Sequence, residues 1–279
     1  MKKFLISILL LIILFAGGIA FIWNSDPEGV PVLKYRRVND VDQNESTLTV
    51  EQFETQMKFL VDEGYSVITP NELLDSWEGK GTLPQKPVVI TFDDWHIDAY
   101  KNVFPILKKY NLKATFFVVT DNINLYPDCL TWQQAKEMQD SGLVEIESHT
   151  LSNKDLTKVF SRDKLWDQIY GSKQAIEWYL KKPAKFIAYP LGKYDLDTED
   201  LSKEVGYRAS FINSYGLVHS TDQDNFVLSR IPIQGSNSHT FLRFQLRLKG
   251  AALFAPLSSL KDNLINDGNP EVAEFIILP

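Results

Sequence analysis

The amino-acid sequence predicts an α/β fold with a mainly parallel sheet and helices outside it, on three observations. Short apolar runs without a helical period, rich in Val, Ile and Phe, recur between positions 32 and 231. They alternate with stretches of helical period, as crossover-connected parallel strands do. The run Val88-Val89-Ile90-Thr91-Phe92 ends in Asp93-Asp94, and the carboxyl ends of parallel strands are where such sheets place their chemistry. The alternation alone does not separate a barrel from a doubly wound open sheet.

The elements follow in chain order. Residues 4–23 carry no charge and stand behind Lys2 and Lys3. That length spans a bilayer as a helix, with the lysines holding the amino terminus inside. A cleaved signal peptide is the competing reading, with small residues at Gly18-Ile19-Ala20. The apolar stretch is long for one, so an uncleaved anchor is preferred. Residues 1–29 are read as anchor or signal segment plus linker, and residues 30–279 as one folding unit with an N-terminal extension over 30–86. The folded part is then expected outside the cell, membrane-bound through a single pass, or secreted if the segment is cleaved.

Strands are expected near 32–35, 66–69, 87–92, 113–119, 143–147, 185–189, 208–212 and 227–231. Helices are expected near 50–63, where Phe53, Met57 and Leu60 share a face, and near 71–77, 99–110, 131–140, 163–181 and 197–205. The stretch 250–279 is apolar without a period and is expected to pack against the rest of the fold.

Composition narrows the function classes. Apolar content of 44% and charged content of 23% exclude disordered and collagen-like chains. A net charge of −7 argues against a nucleic-acid partner. Cys129 is the sole cysteine, so no intrachain disulfide forms.

Asp93-Asp94 reads equally as a helix cap with a solvated turn or as a catalytic pair, since adjacent carboxylates call for a cation or proton. A second strand-like run, Leu143-Val144-Glu145-Ile146-Glu147-Ser148, delivers His149-Thr150 at its end. A His and an Asp at the tips of different strands can share a divalent ion. A third run, Phe186-Ile187-Ala188, enters the turn Tyr189-Pro190-Leu191-Gly192, which can present backbone N–H groups to an oxyanion.

These segments, in this order, resemble the polysaccharide deacetylases of carbohydrate esterase family 4, the NodB-homology proteins. Thr91-Phe92-Asp93-Asp94 is similar to the family's first motif and Ser148-His149-Thr150-Leu151-Ser152-Asn153 lies over the second. Ala188-Tyr189-Pro190-Leu191-Gly192 matches the third in the form of the biofilm exopolysaccharide deacetylases, and Leu33-Lys34-Tyr35-Arg36-Arg37-Val38 lies where that subgroup has Tyr-His-x-Val. The resemblance covers about residues 30–245. It implies a distorted (β/α) barrel and metal-dependent N-deacetylation of a polymer containing N-acetylglucosamine, poly-N-acetylglucosamine first and peptidoglycan second. It implies Asp93 as base, and Asp94, His149 and the residue at Asn153 as ligands of a divalent metal, zinc foremost with cobalt or manganese as alternatives. The Leu191 N–H would serve the oxyanion, and Trp95, His96, Tyr189 and Pro190 would contact substrate. A monomer acting on an N-acetylated polysaccharide is expected.

The departures carry expectations of their own. Asn153 stands where the family has a second His, which weakens a zinc site and favours a harder ion such as Mn2+. Trp95 replaces a Gly, and His96 is either a substitute ligand or proton carrier, or a surface loop residue beside Trp95. The family's general-acid His has no counterpart; His219 and His239 are the candidates left. Ala188 stands where an Arg usually orients the base, and Arg230 is expected to pair with Asp93 instead. The alternative is a catalytically impaired protein of this fold that binds carbohydrate or acts as a scaffold. A glycosidase would need a second carboxylate across the cleft that no motif supplies.

Overall fold

The computed structural model describes residues 17–18, 29–42, 44–93, 95–221, 224–235, 240–266, 269–276 and 278. Apart from 17–18, the expected anchor over residues 4–23 lies outside the described residues. Among those described, no helix is long and apolar enough to cross a membrane.

The described residues form an α/β fold around one nine-stranded sheet. Its strands are β1 (Val30–Tyr35), β4 (Ser66–Ile68), β5 (Pro87–Asp93), β6 (Ala114–Val118), β7 (Val144–Ser148), β8 (Phe186–Ala188), β9 (Ala209–Phe211), β10 (Leu217–Val218) and β11 (Ile231–Pro232). A separate pair joins β2 (Arg37–Val38) to β3 (Thr47–Leu48). The main path runs β10-β1-β5-β6-β7-β8-β9, with β4 on β5 and β11 on β1. Every pairing in it is parallel except β1 with β10.

The sheet curls until its ends meet. Leu228 bridges Phe211 of β9, and β11 three residues later pairs with β1. The segment over 228–232 is therefore a seam between β9 and β1. Its backbone is tied across by Leu228 N–H to the Ser210 carbonyl at 3.0 Å and Arg230 N–H to the Ser214 carbonyl at 2.9 Å.

Alternation along the strands sorts the side chains onto two faces. One face packs Leu33, Tyr35, Ile90, Phe92, Phe116, Ile146 and Ile187 under the helices. Phe92 stacks on Phe116 with centroids 4.5 Å apart. The concave face holds a smaller apolar group, Val32, Val89, Phe117, Phe186, Ala188, Phe211 and Leu228. Polar residues interrupt that face at the strands' carboxyl ends, and the parity that points Val32 and Val89 inward does the same for Lys34, Thr91 and Asp93.

The helices are α1 (Val50–Asp62), α2 (Pro70–Trp77), α3 (Phe104–Tyr110), α4 (Trp132–Asp140), α5 (Arg162–Trp166), α6 (Ser172–Leu180), α7 (Leu196–Val205), α8 (Phe241–Lys249), α9 (Ala251–Asn266) and α10 (Pro270–Ala273). Thr49, Thr69 and Thr131 start α1, α2 and α4 with full capping boxes. Two expected helices are interrupted. Residues 99–110 begin with a π turn over Ala99–Val103, ahead of Pro105, which has no N–H for a regular turn. Residues 163–181 divide into α5 and α6 around a π turn over Asp167–Gly171. The aperiodic tail is also helical. In α9 the inward stripe is built of Ala251, Phe254, Ala255 and Ser258, while Leu253, Leu257, Leu260 and Ile265 are exposed, so strong apolar residues on both faces blur its periodicity.

Candidate active site

Asp93, the last residue of β5, is buried on the concave face. Arg230 of the seam donates to both its oxygens, Nη1 to Oδ1 at 2.6 Å and Nη2 to Oδ2 at 2.8 Å. The guanidinium is fully buried and further fixed by donation to the Ile212 carbonyl, to Asn213 Oδ1 at 3.1 Å and to Thr91 Oγ1 at 3.4 Å. Lys34 brings a second cation, with Nζ 3.5 Å from Asp93 Oδ2. Burial pushes the Asp93 carboxyl up, but Arg230, His149 and Lys34 together outweigh it and hold it well below the usual carboxylate range.

His149 follows β7 and is buried, with Nδ1 2.8 Å from the Ala188 carbonyl. A carbonyl only accepts, so Nδ1 carries the ring proton and Nε2 keeps its lone pair. Burial lowers the His149 pKa by more than Asp93 raises it, which favours the neutral, ligating form.

The loop after His149 is bent by left-handed residues, Thr150 at φ 67° and Asn153 at φ 55°. A β-branched residue there is strained, and three contacts hold it: the Thr150 N–H donates to Ser148 Oγ, its carbonyl accepts from the Thr120 N–H, and its hydroxyl accepts from the Asn153 N–H. On the other side, the turn Pro190–Gly192 carries Leu191 at φ 59°. Gly192 is required there. A Cβ would sit 2.5 Å from the Asn213 backbone nitrogen, and Asn213 is an acceptor for Arg230.

These elements wall a cavity of about 190 Å3 that holds Lys34, Asp93, Trp95, His149, Asn153 and Leu191 together, with Arg36 at its edge. Asp94 lies outside the described residues, as does His239. Tyr189 and Pro190, expected to touch substrate, are instead buried beneath the turn. The Tyr189 ring stacks on Tyr194 and its hydroxyl donates to Ser202. His96 stacks on Trp95, which lines the cavity, and its backbone bridges to Cys129. His219 lies at the opposite end of the sheet, against Gly29 just before β1, and so cannot supply the missing acid.

Lys34, Thr91 and Asn213 are site residues that the motifs did not single out. For Lys34 a signal existed, a lone cation inside the apolar run Val32-Leu33-Lys34-Tyr35 at the parity that faces Asp93.

For a divalent ion, the described donors are one imidazole nitrogen and one amide oxygen, His149 and Asn153 on the same cavity wall. Among the described residues no group of three His, Cys, Asp or Glu side chains is placed to hold a metal. This donor chemistry fits an oxygen-tolerant ion, and fits a closed zinc site of imidazoles and thiolates poorly.

Residues 80–210 match the family model described as polysaccharide deacetylase. The chain is 32% identical over 214 residues to YxkH of Bacillus subtilis (strain 168), itself placed among the polysaccharide deacetylases, covering 77% of this chain and 75% of that one. It is 31% identical over 194 residues to the poly-beta-1,6-N-acetyl-D-glucosamine N-deacetylase of Staphylococcus aureus (strain MSSA476), covering 65% and 66%. The solved structure of the Streptococcus pyogenes deacetylase PplD in complex with acetate superposes with a TM-score of 0.69 at 29% identity, over 75% of this chain and 94% of that one. With its motifs gathered around one cavity on a curled parallel sheet, the chain belongs to the polysaccharide deacetylases of carbohydrate esterase family 4, and is a hydrolase of that kind.

Proposed function

We propose that this deacetylase removes acetyl groups from an extracellular polymer containing N-acetylglucosamine, with poly-β-1,6-N-acetylglucosamine the favoured substrate and peptidoglycan the second. The observation that carries the reading is Asp93, clamped by Arg230 and sharing one cavity with His149. The relative in Staphylococcus aureus, named for poly-β-1,6-N-acetylglucosamine, supports the choice of polymer.

In this reading the Asp93 carboxylate takes a proton from the attacking water as general base. Arg230 fixes its plane and keeps it ionised. His149 Nε2 and the Asn153 amide oxygen, with Asp94, would hold a divalent ion, which when bound supplies Lewis acidity toward the acetyl carbonyl and an acidified water. The Leu191 N–H donates to the developing oxyanion. Trp95 offers an apolar ring to a sugar face at the cavity wall. Residues 1–29 would anchor the chain in the membrane, with residues 30–279 outside the cell.

The test is acetate release by the full chain in mild detergent from β-1,6- and β-1,4-linked N-acetylglucosamine oligomers, with Zn2+, Co2+ or Mn2+. Faster release from the β-1,6 oligomers supports the favoured polymer; a preference for the β-1,4 series moves the assignment toward peptidoglycan.

A further inference from the structure

Deacetylation requires a proton for the departing nitrogen; His219 lies at the far end of the sheet, and His149, the motif histidine at the cavity, has its ring proton engaged by the Ala188 carbonyl. We propose that Lys34 is the proton donor to the departing sugar amine.

The cavity wall itself narrows the choice. Arg36 and Arg230 are guanidinium groups that do not release protons near neutrality. The Tyr35 hydroxyl donates to Gln56 Oε1 at 2.9 Å inside the core. The single proton of neutral His149 is committed to the Ala188 carbonyl. Asn153, Asn213 and Gln234 are amides and Ser46 is an alcohol, all far too weak as acids. Among the described residues of the wall in their resting ionic forms, Lys34 alone combines a transferable proton with access to the cavity, its side chain 20% exposed there. Burial, against the opposing pull of Asp93, also lowers its pKa and so eases release of that proton.

Its position beside the base closes the proton cycle. As water oxygen bonds to the acetyl carbon, Asp93 takes one water proton. When the C–N bond breaks, its electron pair stays on nitrogen and takes a proton from the Lys34 ammonium, leaving free amine and acetic acid. The Asp93 carboxylic acid then returns its proton to the Lys34 amine, whose nitrogen lies 3.5 Å from Asp93 Oδ2 in the resting site. Both groups are back in their starting ionic forms, and acetic acid loses its proton to solvent.

The assignment rests on the deacetylase reading, and the experiment separates the two. Acetate release from an N-acetylglucosamine oligomer is compared with hydrolysis of nitrophenyl acetate, whose leaving group needs no proton. The variants are Lys34→Met and Lys34→Arg; the arginine keeps the charge beside Asp93 and the fold but cannot donate. Both variants are expected to lose about 100-fold or more in amide kcat/KM, the scale of general-acid catalysis, and considerably less on the ester. Lys34→Arg retaining more than a tenth of amide turnover overturns the assignment, because charge alone then suffices. Equal losses on amide and ester overturn it as well. A wild-type protein that cleaves the ester but never the amide overturns the deacetylase reading and the donor with it.

Discussion

Arg230 and Asp93 form a two-point ion pair across the closure of the sheet, joining residues 137 apart in sequence at 2.6 and 2.8 Å. The pair links fold to chemistry, because the contacts that zip the seam to β1 and β9 also aim the guanidinium at the base. Arg230→Met leaves the Asp93 carboxylate buried without its main partner. Removing one member of a buried pair costs about 3–5 kcal/mol, and urea denaturation at neutral pH should show a loss of that size. Asp93→Asn with Arg230→Met should recover part of it. A loss below about 1 kcal/mol, the range of an exposed pair, would contradict the buried pairing described.

Asn153 already occupies a left-handed φ of 55°, a region that His also tolerates. Asn153→His should therefore fit the loop and add an imidazole beside His149. Zinc affinity, read by isothermal titration calorimetry, is expected to rise about tenfold or more, within the range over which ligand-shell changes act. Unchanged affinity would place Asn153 outside the metal's reach.

Glu145 of β7 accepts a hydrogen bond from Asn71, and burial raises its pKa above the ordinary carboxylate value. A raised pKa means the folded state holds the proton more tightly than the unfolded chain. The stability tied to that proton is fully present below the unfolded value of about 4.3 and is lost as pH rises through the folded one. Glu145→Gln, which keeps the acceptor without the charge, should match the wild type in Tm near pH 4 and exceed it at pH 7. A difference independent of pH would contradict the buried-charge account.

Trp95 stands on the cavity wall and packs partly against the core. If its ring stacks on a sugar, Trp95→Ala should raise KM about fivefold with little change in kcat, equivalent to roughly 1 kcal/mol of stacking. Trp95→Phe should restore most of the affinity. A change confined to kcat would point away from ground-state binding.

Much of this was legible because local pattern and tertiary position agreed. The β-branched run into Asp93 is β5, the run into His149 is β7, and the pairing expected for Arg230 is present. The failures share one cause, since period and motif say little about which way a loop residue faces. Tyr189 sits in the motif turn yet points into the core, and His219 shares a residue type with the missing acid but lies at the far end of β1. Lys34 escaped because a cation in an apolar run looks like noise until the register sets β1 beside β5 and places Lys34 opposite Thr91. Helix α9 escaped because Leu253, Leu257 and Leu260 face outward while small residues such as Ala251 and Ser258 face in.

The most direct test of the catalytic account is acetate release from poly-N-acetylglucosamine by wild-type and Asp93→Asn protein, each in Zn2+, Co2+ and Mn2+. The wild type should release acetate with at least one metal. The Asn variant, folded but without a proton acceptor, should fall by about 100-fold or more. A folded wild type that releases none with any metal, or an Asn variant that works as well as the wild type, would contradict it.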